Sequence, residues 1–254
     1  MEFEFYNWML VFVRVSAFLL ALPFFSAVNF PAMLRVALAA VAAILLAPQL
    51  PPLSLGHLDV FSWVGLFIRE ISIGLLLGFV GRTIFYAADI AGIIVSNELG
   101  LNMGQLLDPA THQSEQLPGT ILFLLATVTM LTLDLHHGML LGFAKTFEVL
   151  PVGGGQLSIS LFEAVVERSS TIFVIALQIS APVIAVSFVV TLFFAVMSRA
   201  VPQMNVFGES FGFRIAGGLI VFGFTLQISA QYVANYLNRL PDDLLSFGHL
   251  IGGK

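Results

Sequence analysis

The chain has 254 residues, of which 58% are hydrophobic and 10% are charged, and its mean hydropathy is +0.98. Soluble domains carry roughly 25% charged residues, so this composition excludes an ordinary water-soluble fold and predicts an integral membrane protein. The formal net charge of −5, without a basic cluster, argues against a nucleic-acid partner, and the absence of cysteine excludes disulfide bonds and thiolate metal sites.

The N-terminal residues do not have the pattern of a cleavable signal peptide. Such a peptide begins with a positively charged region, whereas this chain has Glu2 and Glu4 there. Arg14 then interrupts the following apolar run. We therefore expect the first hydrophobic segment to be retained.

Six apolar spans follow one another along the chain. They cover residues 8–28, 35–50, 61–86, 117–133, 169–198 and 215–238. A helix that crosses a bilayer needs ~20 apolar residues, and backbone polar groups cannot stay unpaired in lipid. No segment shows the alternation over ~10 residues that is typical of outer-membrane strands. The predicted fold is all-α: a polytopic membrane protein with about six long hydrophobic helices, in a single domain over residues 1–254.

The segments between the spans are more mixed. Residues 87–101 predict an amphipathic helix or a helical extension, and residues 137–143 predict an apolar helical arm. Pro182 is expected to kink or break the fifth span. Lys and Arg are scattered over the loops, so the positive-inside rule assigns no orientation.

Several ionisable residues lie inside or against apolar runs: Arg14, Arg69, Glu70, Arg82, Asp89 and Asp134. Each costs ~2.5–3.5 kcal/mol if it faces the bilayer centre. They could line an ion or proton pathway, or they could be paired within the helix bundle or against a partner subunit. We favour pairing, because neither of the two longest uncharged spans, residues 169–198 and 215–238, contains the central carboxylate of a proton-coupled carrier.

Glycines at helical spacing predict close helix contacts. Gly74 and Gly78 form a GxxxG pattern in the third span, with Gly81 one turn further on. Gly217, Gly218 and Gly223 permit similar contacts in the sixth span, although the pattern names no partner helix.

The sequence offers few candidate metal-binding, phosphate-binding or catalytic residues. His136 and His137 follow Asp134, but adjacent helical residues point about 100° apart and the sequence places no third ligand, so we predict no metal site. The glycines at 153–155 lack the Lys-Ser/Thr of a phosphate loop. No catalytic motif is present, so we predict neither an enzyme nor a cofactor.

Three motifs carry a family resemblance. Residues 104–111 read GQLLDPAT, residues 181–186 read APVIAV, and residues 198–207 read SRAVPQMNVF. Together with residues 24–26, Pro31 and Arg35, they resemble the FliR family of the bacterial type III export gate, which is similar to the SctT subunits of injectisomes. The resemblance runs along essentially the whole chain, and the flagellar branch fits residues 201–206 better. The motif residues that it marks for a subunit interface are Pro182, Arg199, Pro202, Gln203, Asn205 and Phe207.

The resemblance implies a role in protein export. One such subunit joins several FliP- and FliQ-type subunits, and an FlhB-type subunit, in a helical hetero-oligomer at the flagellar basal body in the bacterial inner membrane. Unfolded flagellar polypeptides pass through its pore. The loop at residues 103–118, called the gate loop below, lies in the lumen and helps to close it. Its sealing part is Leu106, Leu107, Asp108, Pro109 and Ala110. The residues that the resemblance marks for the plug as a whole are Met103, Gly104, Gln105, Leu106, Leu107, Asp108, Pro109, Ala110 and Thr111.

In such an assembly, charges inside apolar runs can pair across protein interfaces. We expect Arg14, Arg69, Glu70 and Asp89 to mark helix faces that are turned to partner subunits or to the lumen. These four residues and Arg82 are expected to be paired within the assembly. The alternatives are an injectisome subunit of the same family or a secondary transporter for a small solute. A transporter would have inverted repeats and a broken helix with converging polar groups, and the sequence shows no such repeat.

Overall fold

The computed structural model describes residues 5–26, 30–51, 59–101, 117–155, 158–201, 203 and 205–253. Within those residues the regular structure is helical, with no strand. The helices are α1 (Phe5–Ala21), α2 (Pro23–Ser26), α3 (Ala32–Leu46, followed by a 3-10 turn over Ala47–Gln49), α4 (Val60–Leu99), α5 (Leu117–Thr132), α6 (Leu135–Val149), α7 (Ile159–Ala200) and α8 (Val206–Gly252).

The predicted class is confirmed, and the number of spans is close to the prediction. Four helices in the described residues are long and apolar enough to cross a membrane: Ala32–Gln49, α4, α7 and most of α8. The pair α5 and α6 makes a fifth if it is one broken span, while α1 is shorter, with 17 residues. The chain is therefore an all-α polytopic membrane protein, with six as an approximate count.

The helices are longer than the apolar spans that predicted them. α4, α7 and α8 have 40, 42 and 47 residues. Residues 87–99 continue α4 without a break, which agrees with the predicted helical extension. A charged residue ends an apolar span but leaves the i→i−4 hydrogen bonds intact, so it does not end the helix.

α7 continues through its internal proline. It is a single helix that contains Pro182, so of the two predicted effects, a kink or a break, the break is wrong. Proline removes one hydrogen bond, which a ladder of 42 residues tolerates. By contrast, the first span does end early: α1 stops at Ala21, and Pro23 begins the separate α2.

The chain divides into two compact units. The first comprises Met1–Thr83, Asp134–Ser169 and Tyr236–Lys254, and the second comprises Ile84–Leu133 and Ser170–Asn235. The prediction of a single functional domain is not tested by this division and stays a prediction.

In the first unit, α3 runs back along α1. Asn7 Nδ2, at the start of α1, donates a 3.5 Å hydrogen bond to the carbonyl of Ala47, just after α3. The fully buried Phe18 stacks on Phe143 of α6, with ring centroids 3.9 Å apart. Both rings are buried, so this contact joins α1 to α6 in the interior of the unit.

The GxxxG pattern of α4 has its partner within the chain. A Cβ at Gly74 would collide with the carbonyl oxygen of Arg14 and would lie 2.7 Å from Ala17 Cβ. Gly78 faces Ala21 in the same way, one turn further along both helices. The small residues therefore bring α4 and α1 into backbone contact.

A second pair of glycines in the first unit lies on α6 and packs against a proline of α8. A Cβ at Gly142 on α6 would lie 2.8 Å from Pro241 Cα, whereas one at Gly138 would lie at an ordinary 3.4 Å from the proline ring. This glycine pair was not among the contacts predicted from the sequence. Its signal is the four-residue spacing of the two glycines in α6.

Alanine substitutions at these two glycines should have opposite effects. Gly142→Ala should destabilise the fold by about 1–3 kcal/mol, because the new methyl group overlaps a backbone atom that cannot rotate away. Gly138→Ala should be neutral or stabilising by up to about 1 kcal/mol, because alanine favours helix. Thermal unfolding of the two purified variants in detergent checks this, and equal midpoints would contradict the packing of Pro241.

The second unit has its own core. It is formed by small and aliphatic residues of α4, α5, α7 and α8, namely Ala88, Ala91, Val95, Leu99, Leu122, Ala176, Ile179, Val183 and Phe222. On α4 these residues recur every three or four positions, which gives one buried stripe.

Candidate functional site

A fully buried ion pair joins α1 to α4 in the first unit. The side chains of Arg14 and Glu70 are both fully buried. Arg14 Nε donates to Glu70 Oε2, and an Nη of Arg14 donates to Glu70 Oε1 at 3.0 Å. This is the two-point geometry in which a guanidinium and a carboxylate pair most strongly. The helices bring the two charges together across 56 residues of sequence.

The ion pair also holds the turn that follows α6. Arg14 donates to the carbonyls of Leu150 at 2.8 Å and Pro151 at 3.3 Å. Glu70 Oε1 accepts a 2.7 Å hydrogen bond from Gly153 N. Buried charges are stable when hydrogen bonds satisfy their remaining atoms, and this network does so with backbone groups.

Two more side chains contact the ion pair or the turn that it holds. The Arg14 guanidinium lies 4.4 Å from the centroid of the Phe147 ring, close enough for a cation–π contact. Arg69, next to Glu70 but exposed, donates to the carbonyl of Gly153 at 2.6 Å. Gly153 has φ 75°, a conformation that glycine adopts without cost. The arrangement fixes a turn between helices and offers no free nucleophile or base, so its chemistry is structural.

A second ion pair joins α7 to α8 in the first unit. Arg168 contacts Asp243 at 2.8 Å and donates to the hydroxyl of Tyr236, also at 2.8 Å. Its guanidinium lies 5.5 Å from the Phe247 ring centroid. These residues were not predicted from the sequence to form a site. The available signal was the spacing of Tyr236, Asp243 and Phe247, which places them on one face of a helix.

The remaining charges that the sequence selected differ in their surroundings. Arg82 is half-buried and donates to the carbonyl of Ala21 at 3.4 Å, and Asp89 is half-buried in the second unit. Arg14 and Glu70 cannot face a partner subunit or a lumen, because the chain itself buries them completely. That interpretation was wrong for these two residues, since the sequence could not show that α1 and α4 pack together.

The motif residues near the C-terminal end of α7 are mostly exposed. Arg199, Gln203 and Asn205 are exposed, and Pro182 is half-buried inside α7. Pro202 and the Phe207 side chain lie outside the described residues. So do residues 103–116 of the gate loop, whose last two residues begin α5. Their predicted roles in gating and at an interface therefore stay predictions.

Asn205 has a local role at the start of α8. Its Oδ1 accepts a 3.2 Å hydrogen bond from Gly208 N, which is the pattern of an N-cap. Asn205→Ala should therefore raise the amide exchange rate of Gly208 about fivefold, since losing a cap costs ~1 kcal/mol. Asn205→Asp should keep the protection, and Asn238→Ala, an exposed asparagine inside α8, should leave Gly208 unchanged. Equal exchange in the two Asn205 variants would show that the cap has no effect.

Comparison with known proteins agrees with the motifs. The family model of bacterial export proteins, family 1, matches residues 5–240. The chain is 28% identical over 252 residues to the flagellar biosynthetic protein FliR of Bacillus subtilis, covering 96% of this chain and 95% of that protein. It is 27% identical over 237 residues to FliR of Escherichia coli, covering 92% and 89% of the two chains. For FliR of Caulobacter vibrioides the identity is 27% over 246 residues, covering 94% and 96%.

The match includes every helix described above, from the start of α1 to the part of α8 just before Pro241. The resemblance to the FliR family is confirmed, and it extends beyond the short motifs to the whole succession of helices. The chain belongs to the bacterial export proteins, family 1.

Proposed function

We propose that this protein is a subunit of the flagellar type III protein export gate, and that it forms the pore with FliP- and FliQ-type subunits. The observation that carries the proposal is its similarity to flagellar FliR proteins over nearly the full length of both chains. In this role it resides in the inner membrane at the flagellar basal body, contacts an FlhB-type subunit, and passes unfolded flagellar polypeptides. It catalyses no reaction itself.

The exposed surface of the helices supports a role in an assembly. In the most apolar 18-residue window of α8, 11% of the residues are buried within the chain, and the corresponding value for α3 with its 3-10 turn is 17%. Met33 on α3 is 87% exposed and Phe224 on α8 is 78% exposed. Apolar surface of this extent needs lipid or protein to cover it.

Some helices are longer than a bilayer is thick, which favours protein over lipid as the cover for part of the exposed apolar surface. α7 has 42 residues, a contour length of about 63 Å, whereas the hydrocarbon core of a bilayer is ~30 Å thick. Exposed apolar residues occur at both of its ends, for example Ile159 and Phe162 near the start and Val196 near the end. One bilayer crossing covers ~20 residues of a helix, so the rest of this surface needs another apolar environment. Sister subunits of a hetero-oligomer supply one.

Closure of the pore is assigned to the gate loop. The dipeptide Asp108-Pro109 favours a turn, because aspartate can bond its own backbone two residues on and proline restricts φ. Leu106 and Leu107 precede this dipeptide in the sequence. Apolar side chains at a constriction exclude water and thereby block ions, while a loop can move aside for a polypeptide.

Export of flagellar proteins tests the proposed function. Deleting the gene in its own bacterium should abolish secretion of hook and filament subunits, and a plasmid copy should restore it. Secretion through any injectisome in the same cells should be unaffected. Normal flagellar secretion after deletion, or loss of injectisome secretion instead, would assign the protein to a different export system.

A further inference from the structure

The turn between α5 and α6 brings two imidazoles and a carboxylate together. Potential ligand atoms of Asp134, His136 and His137 all lie within 4.8 Å of one another. His137 Nδ1 is 3.6 Å from Asp134 Oδ1, and the two histidine rings have centroids 4.1 Å apart. In the part of the chain that the structure describes, no other group of three such residues has this proximity.

The backbone explains why the sequence did not show this cluster. Asp134 has φ 54° and ψ 21°, and it is the one non-glycine residue with positive φ among the described residues. It occupies the N-cap position of α6, yet its side chain makes no capping hydrogen bond. Aspartate at an N-cap ordinarily accepts from the first turn of the helix. Here the carboxylate lies beside His137 instead, so the fold brings together a third potential ligand that the sequence did not place.

One nitrogen of His136 lacks a hydrogen-bond partner. His136 Nδ1 is buried and has no hydrogen-bond partner. Buried polar atoms are almost always paired, so such an atom points to a missing partner. The 4.1 Å between the ring centroids also shows that adjacent helical positions do not force these two side chains apart at the start of α6.

The dimensions suit a small metal ion. Ligands at ~2.1 Å from a tetrahedral ion lie about 3.4 Å from one another, which is near the distance between Asp134 and His137. His136 has to move by on the order of 1 Å to reach the same distance. The side chains of Asp134 and His137 are 77% and 72% exposed, so rotation of these two groups is unhindered.

We propose that Asp134, His136 and His137 bind a divalent transition-metal ion of the Zn²⁺ class, with water completing the coordination. Two imidazoles and one carboxylate suit Zn²⁺, Ni²⁺ or Cu²⁺, whereas Mg²⁺ and Ca²⁺ prefer oxygen ligands. The ion ties residue 134 to the first turn of α6, which leads into Gly138 and its contact with Pro241. The bound ion thereby fixes the start of α6, and the contact between Gly138 and Pro241 depends on the position of this helix. This site does not depend on the proposed export function.

Zn²⁺ titration of the full-length protein tests the site. The protein is purified in detergent with an affinity tag that lacks histidine, and binding is measured by calorimetry. We expect one Zn²⁺ per chain. Asp134→Asn keeps a residue that tolerates the left-handed conformation but removes the charge, and His137→Asn removes an imidazole. Each should weaken binding at least tenfold, whereas His249→Asn, an exposed histidine on α8, should leave it unchanged.

Cu²⁺ provides a second measurement on the unaltered protein. Its electron paramagnetic resonance spectrum should show coupling to two imidazole nitrogens, which a scattered surface ion does not give. The proposal is overturned if less than half an equivalent of Zn²⁺ binds. It is also overturned if Asp134→Asn and His137→Asn bind as tightly as the parent, or if His249→Asn loses as much affinity as they do.

Discussion

Arg14→Met should destabilise the protein by ~3–5 kcal/mol, because it leaves the Glu70 carboxylate buried without its partner. It also removes the donors to the carbonyls of Leu150 and Pro151. For a chain of this size the loss lowers the thermal midpoint by on the order of 10 °C. Thermal unfolding in detergent, followed by circular dichroism, measures it.

Arg69→Met is the matched control. Arg69 neighbours Glu70 and bonds to the same turn, but it is exposed, so its removal should cost no more than about 1 kcal/mol. The double variant Arg14→Met with Glu70→Met should recover part of the loss, since no isolated charge remains. Recovery is incomplete because Gly153 N and the Leu150 carbonyl lose their partners. If Arg14→Met and Arg69→Met unfold at the same temperature, the buried pair is not the anchor of this turn.

Removing residues 106–111 should make the cell membrane leaky to small ions. The proposed gate loop excludes water through apolar side chains, and without it an assembled pore stays hydrated. Leu106→Ser together with Leu107→Ser should have the same effect in a smaller degree. Growth in high salt and membrane-potential dyes report the leak in cells that express the other gate subunits.

The control keeps the loop and changes a polar position in it. His112→Ala should retain the permeability of the parent, because His112 follows the predicted sealing residues. All variants are to be compared at equal amounts of assembled gate. Normal permeability in the deletion, with the gate assembled, would remove the loop from the role of a plug.

The sequence predicts the class of the fold because hydropathy decides it. The uncharged runs at 169–198 and 215–238 could only be helices in an apolar environment, and both lie inside single helices. Helix ends were harder to predict. They depend on where backbone hydrogen bonding stops, and charged residues such as Glu163 and Asp243 lie within α7 and α8 without ending them.

The sequence predicted that the buried charges have partners, but not which residues pair with each other. Apolar surroundings imply that Arg14 and Glu70 need partners, but no local rule relates positions 56 residues apart. Their meeting requires the close packing of α1 on α4 at Gly74, a contact between distant parts of the chain. The left-handed conformation of Asp134 was equally hidden, because aspartate adopts several conformations at a helix start.

The mass of the intact particle tests the central claim most directly. The chain is co-expressed with FliP- and FliQ-type subunits from the same bacterium, purified, and weighed by native mass spectrometry. We predict a stable particle that contains one copy of this chain with several copies of each partner. A chain that purifies as a folded monomer of 27.5 kDa, with the partners absent, would contradict the account.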